Sequence, residues 1–130
     1  MENPKSVGLL LSDDMMFTSR IVGTGRDLGV TIKPAKTEEA LLALAGKQMP
    51  RCVIIDLSNP GLKIAELIKE LAVVCSPRPF VVAYGSHVDT ATLRAGREAG
   101  CDLVWPRSKF VEELPRVMRD WFVGMQSPGG

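Results

Sequence analysis

This sequence is poor in the residues that most enzymes and metal proteins depend on. It holds one histidine, His87, and three cysteines, Cys52, Cys75 and Cys101, which are odd in number, far apart and set among apolar neighbours. That spacing suits neither a disulfide framework nor a zinc site, and reads as reduced thiols buried in a core. His87 has no base or nucleophile in sequence reach that would make it catalytic, so it reads as a solvated loop residue. Charge of one sign is also missing: sixteen basic residues face fifteen acidic ones, for a net charge of +1. No electrostatic field therefore announces nucleic acid or an anionic membrane, and Arg94, Arg97, Arg116 and Arg119 are too scattered among acids to form a basic stripe. No apolar run approaches the roughly 18 residues of a membrane span, and no signal-peptide core opens the chain. The expectation is a cytoplasmic protein without membrane contact.

What is present is apolar and periodic. At 130 residues with 45% hydrophobic content, the chain is sized for one domain with a real core. Its organising stretch is Cys52 to Pro60. Val53, Ile54 and Ile55 read as a strand buried on both faces, and Asp56 is the first charge after them. Ser58, Asn59, Pro60 and Gly61 then turn the chain.

Similar runs occur at Val7–Leu11, Val30–Ile32 (stopped by Pro34), Phe80–Tyr84 and Leu103–Trp105. Between them lie helical patterns. Phe17, Ile21, Thr24 and Leu28 share a face before Gly29. Thr37 caps Glu38 and Glu39, with Leu41 and Leu44 following and an end near Gly46. Ile64, Leu67, Ile68 and Leu71 give the clearest stripe. Asp89 caps a weaker helix that Gly100 ends, and Val111, Leu114, Met118, Trp121 and Phe122 line a last one that Pro115 starts or kinks. Strands alternating with helices imply right-handed crossovers, a parallel sheet and a doubly wound α/β domain over residues 1–123. The Gly-, Ser- and Pro-rich residues 124–130 read as a flexible tail.

In a parallel sheet Asp13, Asp14, Asp56, Gly85, Ser86 and Arg107 all leave at one edge, where open α/β folds place their ligands. Three carboxylates meeting there repel unless a cation sits among them, and Mg²⁺, with oxygen ligands and retained waters, meets that need. Arg107 opposite them suits an acid or a phosphoryl oxygen.

On these residues the chain resembles the receiver domains of bacterial two-component response regulators, over about residues 5–123. The resemblance rests on Leu-Leu-Leu-Ser-Asp13-Asp14, on Ile-Ile-Asp56-Leu-Ser-Asn-Pro60-Gly61 and on Glu-Ala-Gly100-Cys-Asp102. It implies a five-stranded sheet of order 2-1-3-4-5. It also implies a CheY-like signalling role in which Asp56 accepts a phosphoryl group from a histidine kinase. By the same resemblance Asp14, Asp56 and the Ser58 main-chain carbonyl would hold Mg²⁺, with Asp13 acting through water. Receivers carry Thr or Ser at the end of strand four, where this chain has Gly85 with Ser86 one residue late. They end strand five with Lys-Pro, where it has Arg107-Ser108, and Arg is longer, planar and forked. The swinging aromatic of strand five aligns with Val104, while Trp105 beside it faces the other way.

Two readings follow. In one, the chain is an atypical stand-alone receiver in which added negative charge on Asp56 reorganises the turns at Ser86 and Arg107. In the other, it is a pseudo-receiver that docks or dimerises without phosphorylation. With no DNA-binding unit in the sequence, output goes to a partner in trans, another signalling protein or a second copy through the fourth and fifth helices. A flavodoxin-like nucleotide or flavin binder is disfavoured, because Ser12-Asp13-Asp14-Met15 replaces a Gly-rich phosphate loop. Met15, Met16, Met118 and Met125 read as packing or surface filler, and Trp121 and Phe122 as core cover unless exposed.

Overall fold

The computed structural model describes residues 7–122, and within them strands and helices alternate. In chain order they are β1 (Val7–Leu11), α1 (Met15–Asp27), β2 (Thr31–Ala35), α2 (Glu38–Gln48), β3 (Cys52–Asp56), α3 (Ile64–Val74), β4 (Phe80–Gly85), α4 (Thr90–Ala99), β5 (Leu103–Pro106) and α5 (Arg107–Val117). A short 3-10 helix, Met118–Trp121, follows. All strand pairs are parallel, in the order β2-β1-β3-β4-β5. Residues 124–130, expected as a flexible tail, lie outside the described residues.

β3 is buried at every position because helices cover both faces of the sheet. Val53 and Ile55 turn into a core shared with Leu41 of α2, Leu67 and Leu71 of α3 and Leu93 of α4. Cys52 and Ile54 turn the opposite way, into a core with Ile21 of α1 and Phe110 and Leu114 of α5. Each fully buried Val, Ile or Leu contributes roughly 1.5–3 kcal/mol, so the alternation of faces along β3 holds both helix layers to one strand. Trp121 and Phe122 close the second core and are buried, as is Met118, whereas Met15 and Met16 are exposed. Val104 enters the first core and Trp105 packs against the second, so the two do face opposite ways. Behind β4 and β5, Asp102 accepts a hydrogen bond from the Val81 N–H and an ion pair from Arg78, which also donates to the Gly100 carbonyl.

Three local expectations are corrected. β2 runs through Pro34 instead of stopping there, because β2 is an edge strand and pairs with β1 alone, so an N–H facing outward is not needed. α2 continues past Gly46 to Gln48 and ends on Met49, which takes the left-handed conformation at φ 46°. Of the two roles read for Pro115, opening the last helix is excluded, because Arg107 already opens α5 after Pro106 and Pro115 lies inside it. Gly29 and Gly100 sit where expected, just past α1 and α4, with φ of 84° and 104°.

All three thiols are free. Burial, aided by the negative charge of Asp102, pushes the Cys52 thiol far up, and the same two causes raise Cys101 to about 11; burial alone raises Cys75. A thiol raised in the fold keeps its proton while the unfolded chain loses one, so unfolding above the ordinary value releases protons and is favoured by rising pH. The stability these thiols contribute is whole below the ordinary thiol value of 9.0 and is lost progressively as pH climbs through about 11 and beyond. Urea midpoints measured across that range should fall, and Cys101→Ala should flatten the lower part of the decline.

At Gly8 a Cβ would stand 2.6 Å from the Phe122 ring, in the second core. Gly8→Ala should therefore destabilise the protein by about 1–3 kcal/mol in urea unfolding, the usual cost of overpacking. An unchanged midpoint would mean that Phe122 can retreat freely.

Candidate functional site

The C-terminal ends of β1, β3 and β4 meet at the middle of the sheet. Leu11 pairs with Ile55 and Asp56 pairs with Tyr84, so Ser12, Asp56 and Tyr84 stand side by side at one edge. Asp56 is only 4% exposed. Its Oδ2 accepts a hydrogen bond from the Ser12 hydroxyl at 3.0 Å and its Oδ1 one from the Ser58 N–H at 2.9 Å. The second bond closes a small Asx turn that the Asn59 N–H, donating to the Asp56 carbonyl at 3.0 Å, completes. Asn59 is buried in this turn and donates through Nδ2 to the Lys36 carbonyl. The turn thus ties the end of β3 to the end of β2.

Asp13 and Asp14 are exposed. Asp14 caps α1, with Oδ1 accepting from the Phe17 N–H, and its own N–H donates to the Ser12 oxygen. That is the helix-dipole role open to any acid there. Among the described residues no three His, Cys, Asp or Glu side chains gather where one metal ion could hold them. Asp14 thus serves as the cap of α1, and Ser12, a neutral hydroxyl, stands directly beside Asp56. Ser58 is exposed and its N–H is directed at Asp56.

The remaining residues stand as follows. Gly85 ends β4, and a Cβ there would meet Leu57 and Leu93, on the α4 side of the sheet, at 3.4 Å. Ser86 is half-buried, and its hydroxyl accepts from the Val88 N–H, a turn contact. Arg107 opens α5 and lays its guanidinium over the Phe17 ring, 5.6 Å from the centroid. Among the described residues it forms no ion pair with the acids. His87 is exposed. Asp56 is thus brought into a buried, hydrogen-bonded place, while Ser86 and Arg107 are engaged elsewhere.

Two members of the site were not expected, Ser12 and Tyr84. Tyr84 is fully buried, its ring lying 5.1 Å from Phe17 and 4.6 Å from Phe110, and its hydroxyl has no hydrogen-bond partner. Burial first, then the negative charge of Asp56 and last that of Asp14, pushes the phenol up; the approach of the Ser12 hydroxyl to the phenol oxygen and the Arg107 charge partly offset this. The signal was available in outline, since Ser12 and Tyr84 each lie at the end of an apolar run beside the run that ends in Asp56.

Comparison with solved structures identifies the fold. A protein from Chloroflexus aurantiacus described as a response regulator superposes with a TM-score of 0.76 at 21% identity, covering 89% of this chain and 96% of that one. The receiver domain of NtrX from Brucella abortus gives 0.75 at 20%, covering 88% and 97%. A response regulator from Burkholderia pseudomallei, solved with a phosphorylated aspartic acid, calcium and citrate, gives 0.73 at 18%, covering 95% and 72%. No protein-family model matches the sequence, and no curated protein matches it. The chain has the receiver fold of response regulators, a five-stranded parallel sheet of order 2-1-3-4-5 wrapped by five helices. No described helix is long and apolar enough to cross a membrane.

Ser12→Ala would leave Asp56 Oδ2 without its donor in a buried place. Such an unmet acceptor costs about 1–3 kcal/mol, and chemical denaturation should show a loss of that size. Asp13→Ala, at an exposed position, should change stability by less than about 0.5 kcal/mol.

Proposed function

We propose that this chain is a signalling module of the receiver fold that works through protein–protein contact, with Asp56 as its phosphoryl acceptor. One observation carries the reading: Asp56 is the only buried carboxylate among the described residues, and it sits at the C-terminal end of the central strand. The aspartyl phosphate in the Burkholderia pseudomallei neighbour supports it by analogy of fold. In the proposed step an Asp56 carboxylate oxygen attacks the phosphorus of an N-phosphorylated imidazole or an acyl phosphate. The new P–O bond forms as the bond to the leaving imidazole or carboxylate breaks, and a leaving imidazole takes one proton from solvent. The transfer is to the protein's own side chain, so no turnover of an external product is proposed. Ser12 and the Ser58 N–H hold the acceptor in one orientation, and would have to yield to a group added there. The donor would be a histidine kinase or another phosphorylated signalling protein, and the reader a protein in trans or a second copy meeting through α4 and α5.

A second reading has its own support. Gly85 has no hydroxyl to follow a phosphoryl group, and Arg107 rests on Phe17. On these grounds the module would dock partners in a single state.

Acetyl phosphate added with and without Mg²⁺, followed by intact mass, separates the two. The expected result is one phosphoryl increment on the wild type and none on Asp56→Asn. An unmodified wild type in both conditions would leave the docking reading alone.

A further inference from the structure

The two donors that already meet Asp56 are both committed to it. Ser12 gives its only hydroxyl proton to Asp56 Oδ2, and the Ser58 N–H is bound to Oδ1. The guanidinium of Arg107 lies on the Phe17 ring. The Tyr84 hydroxyl beside them is fully buried and meets no partner at hydrogen-bond geometry among the described residues, although the Ser12 hydroxyl lies close enough to act on it. A buried phenol without a hydrogen bond is destabilising, so its place calls for an acceptor absent from the resting protein.

The register places that hydroxyl correctly. Asp56 and Tyr84 are paired across β3 and β4, so their side chains leave the same face, the one that packs against α1 and α5. The Phe17 and Phe110 rings flank the phenol and fix its direction. Both the Asp56 charge and the Arg107 charge act on the phenol, which puts it within the electrostatic reach of the acceptor. Its raised proton affinity keeps it a donor at neutral pH. Gly85, one residue later, offers no side chain.

We propose that Tyr84 is the side-chain donor of this site, its hydroxyl binding an oxygen of a phosphoryl group, or of a phosphoryl mimic, carried on Asp56. The inference rests on the phosphoryl reading for its natural ligand, but not for its test. Tyr84 is the chain's only tyrosine, so a single ¹³C label at its ring Cζ reports on this hydroxyl alone.

Two measurements decide the matter. In the first, beryllium trifluoride, which adds to a carboxylate as a phosphoryl mimic, is titrated into wild type, Asp56→Asn and Tyr84→Phe while the Tyr84 Cζ resonance or, for Tyr84→Phe, protein fluorescence is followed. The resonance should shift in the wild type and stay still in Asp56→Asn, and Tyr84→Phe should bind the mimic roughly ten- to hundredfold more weakly, as expected for losing a hydrogen bond to a charged group. In the second, the lifetime of the aspartyl phosphate made with acetyl phosphate should change by a comparable factor in Tyr84→Phe. That variant keeps the ring stack and loses only an unpartnered hydroxyl, so its thermal midpoint should be unchanged or higher, and weaker mimic binding is then no folding defect. Equal mimic affinity and equal lifetime in Tyr84→Phe would overturn the inference and leave the phosphoryl reading standing. An Asp56-dependent shift without any phosphoryl increment would support the inference and sink that reading. A Cζ resonance unmoved by the mimic, with no increment, would overturn both.

Discussion

Burial of β3 on both faces is the constraint from which the rest follows. A strand whose side chains alternate between two cores has no solvent-facing side, so its first charged residue must wait until the strand leaves the sheet. Asp56 is that residue, and its place at the edge is set by hydrophobic burial rather than by any attraction of its own. The Ser12 hydroxyl and the Ser58 N–H then satisfy a carboxylate that would otherwise be costly to bury. The same burial ties the two helix layers together, since Val53 and Ile55 serve one and Cys52 and Ile54 the other.

Much of the fold was legible because its elements announce themselves locally. Runs of β-branched residues and a strict helical stripe such as Ile64, Leu67, Ile68 and Leu71 depend on periods of two and 3.6 that any window of the chain shows. Pro34, Met49 and Pro115 share a physical feature. Each residue breaks a local propensity that its setting tolerates: an edge strand for Pro34, a helix end for Met49 and the exposed face of α5 for Pro115.

The site was legible only in part, for a different physical reason. The position of Asp56 follows from one stretch of chain. The contact between Ser12 and Asp56 spans 44 residues and depends on how β1 and β3 slide against each other, a register that the hydrophobic pattern narrows but does not state. In the structure Ser12 is turned toward Asp56, and Asp14 serves as the cap of α1. Tyr84 escaped notice because a tyrosine ending an apolar run looks like core, and only the pairing of β3 with β4 sets it beside Asp56.

The rings of Phe17, Tyr84 and Phe110 form a mutually touching cluster, at 5.1, 4.6 and 6.3 Å between centroids, and Trp121 joins it through Phe110 at 6.0 Å. Flat, incompressible groups in contact transmit displacement better than aliphatic chains that rotate out of the way. Toward α4 the site meets the bare backbone of Gly85 and the aliphatic side chains of Leu57 and Leu93. The molecule is therefore mechanically lopsided around Asp56, stiff toward α1 and α5 and compliant toward α4. A disturbance at that carboxylate has its shortest rigid path to the layer formed by α1 and α5.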